Sequence, residues 1–490
     1  MFKRRATSIA LLALSSTLSM GAHALDNNNE IRSTLSDQQS VAVTIYNQDL
    51  ALVKDTRKVN LKAGLNALAL RDVSAQIRPE TALLRSINAP GSLTLLEQNF
   101  DFDLLTPHKM LEKYVGKTVG IVKVHPTTGA ETVEQATVLS VNDGVVLKMG
   151  NRIETGLPGR VVFDDVPANL RDRPTLVTQI NVTQINNKGA TDQTVELSYL
   201  TGGLAWKADY VAELNEKENQ LDLSGWVTLT NASGASYKNA KLQLVAGDVN
   251  RVQPQMQPEM MMRKNMDVMA TAAAAPMAEE SLLEYHLYTL DRPTNIMEAQ
   301  TKQVALLSAS GVPVRKELLL QGADYYYQGQ YGEIGTKMKV GVFIEFDNKE
   351  ASKLGMPLPK GVLRVYKKDS KGNAQFVGED NIDHTPKNES VRLKLGEAFD
   401  VTADKKQTDF KVLPNPQKGH NAFESAYELT LKNAKKDKVT VTVQEPISGE
   451  WKIVSESAPH TKANSHLALW KIDIPAEGST TLTYRAQVKY

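Results

Sequence analysis

Between Val195 and Val249 the chain alternates apolar and polar residues so regularly that only extended backbone suits it. The stretch reads VELSYLTGGLAWKADYVAELNEKENQLDLSGWVTLTNASGASYKNAKLQLVAGDV. Leu197 and Tyr199, then Trp206, Ala208 and Tyr210, then Leu221, Leu223, Val227 and Leu229 recur at a period of two. Gly202-Gly203, the run from Asn215 to Asn219 and the run from Asn231 to Gly234 interrupt it as turns. Two of the four tryptophans, Trp206 and Trp226, fall inside this stretch, which predicts the centre of a large core.

The same grammar extends in both directions, so the fold class expected is all-β, built from two to three sandwich or barrel modules. Residues 25–40 are polar and are expected to be flexible. Residues 41–105 carry strand-like pieces and a hairpin at Lys62-Ala63-Gly64, and form an N-terminal β module. Thr106-Pro107 opens the one convincing helix, with Thr106 as cap and Met110, Leu111 and Tyr114 on one face before Gly116. Five short strands between Thr118 and Val166 follow, so residues 106–167 read as an inserted small SH3-like barrel, although periodicity does not separate a barrel from a meander. Residues 168–395 read as a central sandwich and residues 396–490 as a C-terminal immunoglobulin-like sandwich. In that last module Val439 to Val443 puts valines on one face and threonines on the other.

The N-terminus points to export. Lys3, Arg4 and Arg5 precede an uncharged run from Ala6 to Met20, and Ala22-His23-Ala24 fits a small-x-small cleavage pattern, so residues 1–24 read as a cleaved signal peptide. A membrane anchor would need about 20 apolar residues, and this run is shorter. The expected location is periplasmic, with no transmembrane segment left after cleavage. The 57 basic residues less the three in the leader leave 54 against 56 acidic ones, a net of −2. That near balance argues against nucleic acid as a partner. Zero cysteines exclude disulfides, thiol catalysis and cysteine-zinc sites.

Three stretches qualify as candidate sites. Residues 253–278 (QPQMQPEMMMRKNMDVMATAAAAPMA) hold seven methionines among alanines and prolines. Such a composition buries too little to offset its ordering entropy, so it reads first as a disordered loop. Thioethers bind Cu(I) and take up oxidant reversibly, which gives a copper-binding or redox-buffering alternative. Replacing the tract by a short Gly/Ser linker is expected to move the melting temperature by only a few degrees, about 1 kcal/mol or less, because loop-closure entropy grows slowly with length. His384 in GEDNIDHTPKNE has Glu379, Asp380 and Asp383 nearby, the ingredients of a general base, although the tract also reads as a polar turn before Pro386. Tyr325, Tyr326, Tyr327 and Tyr331 offer rings for stacking on a glycan or a peptide; read as a strand, at least one must face outward. No nucleotide or hydrolase signature and no metal-ligand histidine spacing is present, so no catalytic, cofactor or metal residue is assigned.

VTIYNQDLALVKDTRKVNL, the Val195–Val249 stretch, EYHLYTLDRPTNI, LRVYKKDSKGNAQFVGEDNIDHTPKNE and LGEAFDV together resemble the bacterial domain of unknown function 4139, a family related to proteins described as mucoidy inhibitor A. The resemblance runs from about Val41 to Tyr490. It implies a β-rich envelope protein of Gram-negative bacteria and brings no catalytic residue or cofactor with it. The coiled coil that precedes this domain in the mucoidy inhibitor proteins is absent from the sequence. The function expected is non-catalytic binding or scaffolding in the envelope, with an envelope protein or polysaccharide as partner. The alternatives are a hydrolase with a dispersed site near His384 and the copper or redox reading of the methionine tract.

Overall fold

A computed structural model describes residues 30–47, 49–167, 170–183, 190–247, 249–250, 277–414 and 421–490. Residues 1–24, expected to be a signal peptide, and nearly all of the methionine tract therefore lie outside the described residues. The chain is all-β, with 5 % helix. It divides into two compact units: residues 1–39, 55–75 and 79–197, and residues 40–54, 76–78 and 198–490.

The first unit holds a four-stranded sheet. Glu30–Ser33 pairs in parallel with Gly64–Arg71, which pairs antiparallel with Thr175–Val182, which in turn pairs with Leu93–Asp101. The last two strands are neighbours in space, so everything between them in sequence is an insertion. That insertion contains the helix Pro107–Lys113, capped as its sequence predicts by the Thr106 hydroxyl accepting from the Lys109 amide. Five strands follow, Thr118–Val124, Glu131–Ser140, Val146–Met149, Arg152–Thr155 and Arg160–Val162. They make an open antiparallel sheet and not the expected closed barrel. The two outermost strands have only four and three residues, and they do not pair with each other. The helix contributes Met110 and Leu111 to a core with Val119, Ile121 and Val138, so the apolar face is covered without closure.

The second unit is built on one long ladder. Its order is Ala374–Ile382, Gly361–Lys368, Leu204–Leu214, Gln220–Asn231, Gln300–Gln321, Glu333–Asp347, Ser390–Leu413, Ala422–Asn433, Gly478–Lys489 and Glu450–Glu456. The Val195–Val249 stretch supplies two of these strands as the alternation predicts, in register from Leu204↔Asn231 to Leu214↔Leu221. Trp206 is buried, whereas Trp226 lies on the opposite, half-buried face beside Val227. At the C-terminal end Val439–Pro446, Leu467–Ile474 and Thr461–Asn464 form a second layer, joined to Gln300–Gln321 by parallel pairing at Leu318↔Val441. Trp470, Tyr427, Tyr484, Leu429 and Val443 fill the space between the two layers.

Three expected boundaries move. The strand Glu30–Ser33 lies in the stretch expected to be flexible. Its polar residues find partners far off in sequence, Glu30 holding Arg171 through two hydrogen bonds of 2.9 and 2.8 Å. Residues 175–182, expected in the central sandwich, pair inside the first unit. The division expected at 395/396 falls within Ser390–Leu413, whose first half pairs with Gly341–Asp347 and whose second half pairs with Ala422–Asn433. At the end of the methionine tract, Met277 is buried and Ala278 opens the strand Ala278–Leu282, so the linker replacement should stop at residue 276.

Arg315 donates to both oxygens of Asp347 (2.9 and 3.2 Å), and the Ser390 hydroxyl donates to the same carboxylate at 2.8 Å. These hydrogen bonds, Arg315 first, hold the Asp347 carboxyl far below the usual range. A depressed pKa stabilises the fold above the unfolded carboxyl's pKa of about 3.9, and the contribution is lost as pH falls through and below that value. Arg315 is half exposed, so screening limits the effect to about 1 kcal/mol or less. Asp347→Asn should lower the melting temperature near neutrality by an amount corresponding to about 1 kcal/mol or less, and the gap from the parent protein should close as pH falls below about 4, which flattens the acid limb.

Candidate functional site

The structure puts the residues around His384 to other uses. Glu379 pairs with Arg364 at 3.1 Å. Asp380 accepts from the Asn381 and Lys394 amides, and the Asp383 carbonyl accepts from the Thr385 hydroxyl. His384 Nδ1 accepts from the Lys360 amide at 3.3 Å. This is a tied-down turn, held further by the bridge between Leu358 and Thr385. Histidine–carboxylate pairs do occur elsewhere: His108 with Glu112, His286 with Glu279 and His460 with Glu456, at 3.0, 2.8 and 2.9 Å. Glu456 also accepts from the Trp470 indole at 2.9 Å, so it anchors a core ring. Among the described residues no three His, Asp or Glu side chains are placed to hold a metal ion.

The tyrosines do something the sequence reading missed. Asp324–Tyr327 is one turn of 3₁₀ helix, not a strand, so its side chains fan out. Tyr325 is 51 % exposed and meets Tyr331, 38 % exposed, edge to face at 5.8 Å. Tyr326 and Tyr327 turn inward onto a buried ion pair. There Lys405 Nζ lies 2.6 Å from Glu445 Oε1, and both side chains are 1 % exposed. Tyr327 donates to Glu445 Oε2 at 2.9 Å, and its hydroxyl lies 3.0 Å from that of Tyr484. The ammonium sits 4.5, 5.0 and 5.6 Å from the ring centres of Tyr326, Tyr427 and Tyr484, so aromatic faces take the place of water around it.

Alternation places both charges. Val401, Ala403, Lys405 and Gln407 point inward along Ser390–Leu413, and Val441, Val443 and Glu445 do so along Val439–Pro446. The signal was present in the sequence, because Glu445 continues the valine face of VTVTV by one more step of two. Burial pushes the Lys405 ammonium below its ordinary pKa. Burial, then the Glu445 charge, raises the phenols of Tyr327 and Tyr484 well above theirs, and burial lifts Tyr427 to about 12. The site therefore favours a neutral amine more than any exposed lysine does, next to a carboxyl group held by a phenol.

Gly322 closes the site. Its amide donates to the Gln444 carbonyl at 2.8 Å, and an added Cβ would stand 2.3 Å from Glu445 Oε2. Gly322→Ala should cost about 1–3 kcal/mol by denaturant titration, as other overpacked cores do.

A second polar feature is a cavity of about 190 Å³ walled by Leu214, Val342, Ile344 and Leu395. Glu218 bridges Lys316 and Lys367 at its rim, with both contacts at 2.5 Å.

A family model described as a domain of unknown function (DUF4139) matches residues 195–490. The chain belongs to the DUF4139 family. No curated protein matches it. The DUF4139 match begins at the alternating stretch and contains the ladder strands, the tyrosine turn and both members of the buried pair.

Proposed function

We propose that this DUF4139 protein is exported to the periplasm and works there by binding, as a rigid β scaffold that engages an envelope protein or polysaccharide. The observation that carries the reading is the division of labour within the tyrosine turn. Tyr326 and Tyr327 are locked onto the Lys405–Glu445 pair, while Tyr325 and Tyr331 stand outward as an edge-to-face pair. Aromatic rings held rigidly from beneath lose little entropy when a partner packs on them. Export is supported by the basic n-region, the apolar run and the Ala22-His23-Ala24 pattern of the sequence.

The test is fractionation followed by crosslinking in intact cells. The mature chain should leave with the periplasmic fraction and begin at Leu25. One envelope protein or polymer should crosslink reproducibly, and its yield should fall at least several-fold for Tyr325→Ala/Tyr331→Ala. Retention in the cytoplasm would overturn the location. A crosslinking pattern unchanged by the double substitution would overturn the tyrosine surface.

A further inference from the structure

We propose that Lys405 and Glu445 are the site of a spontaneous intramolecular amide bond that joins the two layers of the C-terminal sandwich. Several independent features converge on this pair. The two side chains lie on strands of opposite layers, Ser390–Leu413 and Val439–Pro446, and meet in the middle of the core. Nζ is 2.6 Å from Oε1, so the carboxyl carbon bonded to that oxygen is within reach of a small side-chain rotation. Both groups are sealed from solvent, and water, which would drive hydrolysis, is kept out by Tyr326, Tyr327, Tyr427 and Tyr484. Gly322 leaves open the space beside the carboxylate that a larger residue would fill. Lastly, the chain has no cysteine, so no disulfide can tie these layers together.

The chemistry balances without a co-reactant. Attack needs the neutral amine, so the ammonium first hands one proton to Oε1, 2.6 Å away. The lone pair of the Lys405 amine then attacks the Glu445 carboxyl carbon. Negative charge gathers on Oε2, where the Tyr327 hydroxyl already donates its hydrogen bond. Collapse of the tetrahedral intermediate breaks the bond from carbon to Oε1, which takes the second amine proton and departs as water. One C–N bond forms, one C–O bond breaks and nothing is oxidised or reduced. Holding amine and acyl carbon together supplies the rate: well-oriented intramolecular pairs reach effective concentrations on the order of 10⁵–10⁸ M. The lowered proton affinity of Lys405 works in the same direction, since only the neutral amine is a nucleophile.

The experiment is peptide mapping of the folded, purified full chain. After unfolding and tryptic digestion, the expected product is a branched peptide containing Lys405 and Glu445, lighter by one water than its two linear parts. Trypsin should not cut after Lys405 in that peptide. Lys405→Arg keeps a cation but removes the amine, and should return only linear peptides. Glu445→Gln should give the same branched peptide by loss of ammonia in place of water, an outcome that no ion pair can mimic. Recovery of only the linear peptides from folded wild-type protein would overturn the proposal, and that readout stands even if a variant fails to fold.

Discussion

Glu445→Ala is expected to destabilise the second unit by about 3–5 kcal/mol, a large share of the stability of an ordinary domain. The substitution leaves the Lys405 ammonium facing tyrosine rings with no anion, and it takes from the Tyr327 hydroxyl the Oε2 acceptor it now donates to. A buried charge without its partner costs far more than the pair itself contributes, because each ion lost its hydration on folding. The double variant Lys405→Met/Glu445→Leu removes both charges together and should recover most of the loss. The midpoint of urea unfolding reads both effects, with an unchanged slope showing that the same surface is still exposed. If the single and double variants were equally destabilised, the packing around the pair would carry the stability and its charges would not. A strong recovery would identify the charge as the source, whereas the proposed amide bond is lost from both variants alike and would add equally to the two losses.

How much of this site could be read from the chain depends on where alternation stops being trusted. Leu204 to Leu214 and Gln220 to Asn231 are strands in the structure because their apolar residues alternate without a charged intruder on the inward face. VTVTV reads equally well, but Glu445 at the next inward position looks like the end of the strand. Lys405 lies in ADKKQTD, where four of seven residues are charged. In both cases the inward step of two continues through a charged residue, and what makes that tolerable is its partner forty positions away on another layer. Period two reports direction; it does not report pairing across the sandwich. The tyrosine turn failed for a different reason. Three adjacent aromatics suit a strand by propensity, yet the backbone turns there as a 3₁₀ helix that sends Tyr326 and Tyr327 to the same buried pair.

Domain boundaries were legible only where neighbours in sequence are neighbours in space. The helix Pro107–Lys113 and the five short strands from Thr118 to Val162 were visible because the turns are closely spaced and the helix is well capped. The pairing of Thr175–Val182 with strands on the far side of the insertion has no local signature. Nor has the parallel pairing of Gln38–Tyr46 with Tyr237–Ala246, in which Val43 meets Leu242. Both are non-local contacts between generic β sequences, and any of a dozen other strands would satisfy the same pattern. Barrel closure failed on length, since strands of three and four residues cannot complete the ring.

Arg57 should produce the other large effect, in the first unit. In Leu50–Lys62 the inward face runs Val53, Asp55, Arg57, Val59, Leu61, so two opposite charges sit two residues apart among apolar neighbours. Arg57, 1 % exposed, places Nε and Nη2 on Asp55 Oδ2 at 2.9 and 2.7 Å. Its remaining donors reach the Ser33 and Arg71 carbonyls at 3.0 and 2.8 Å. One guanidinium thus ties the strands Glu30–Ser33, Leu50–Lys62 and Gly64–Arg71 together at a point where backbone ladders alone do not meet. Arg57→Ala removes the fork, leaves Asp55 buried beside Gln38 alone, and should cost about 3–5 kcal/mol. Arg57→Lys is the sharper test. It keeps the charge but not the planar set of donors, so at least one carbonyl loses its partner and the expected cost is roughly 2 kcal/mol. Hydrogen exchange of the Glu30–Ser33 amides should quicken in both variants, because that short strand has only four paired residues to hold it once the fork is gone. If Arg57→Lys proves neutral while Arg57→Ala does not, the charge opposite Asp55 is what the site requires, and the carbonyl contacts are incidental to it.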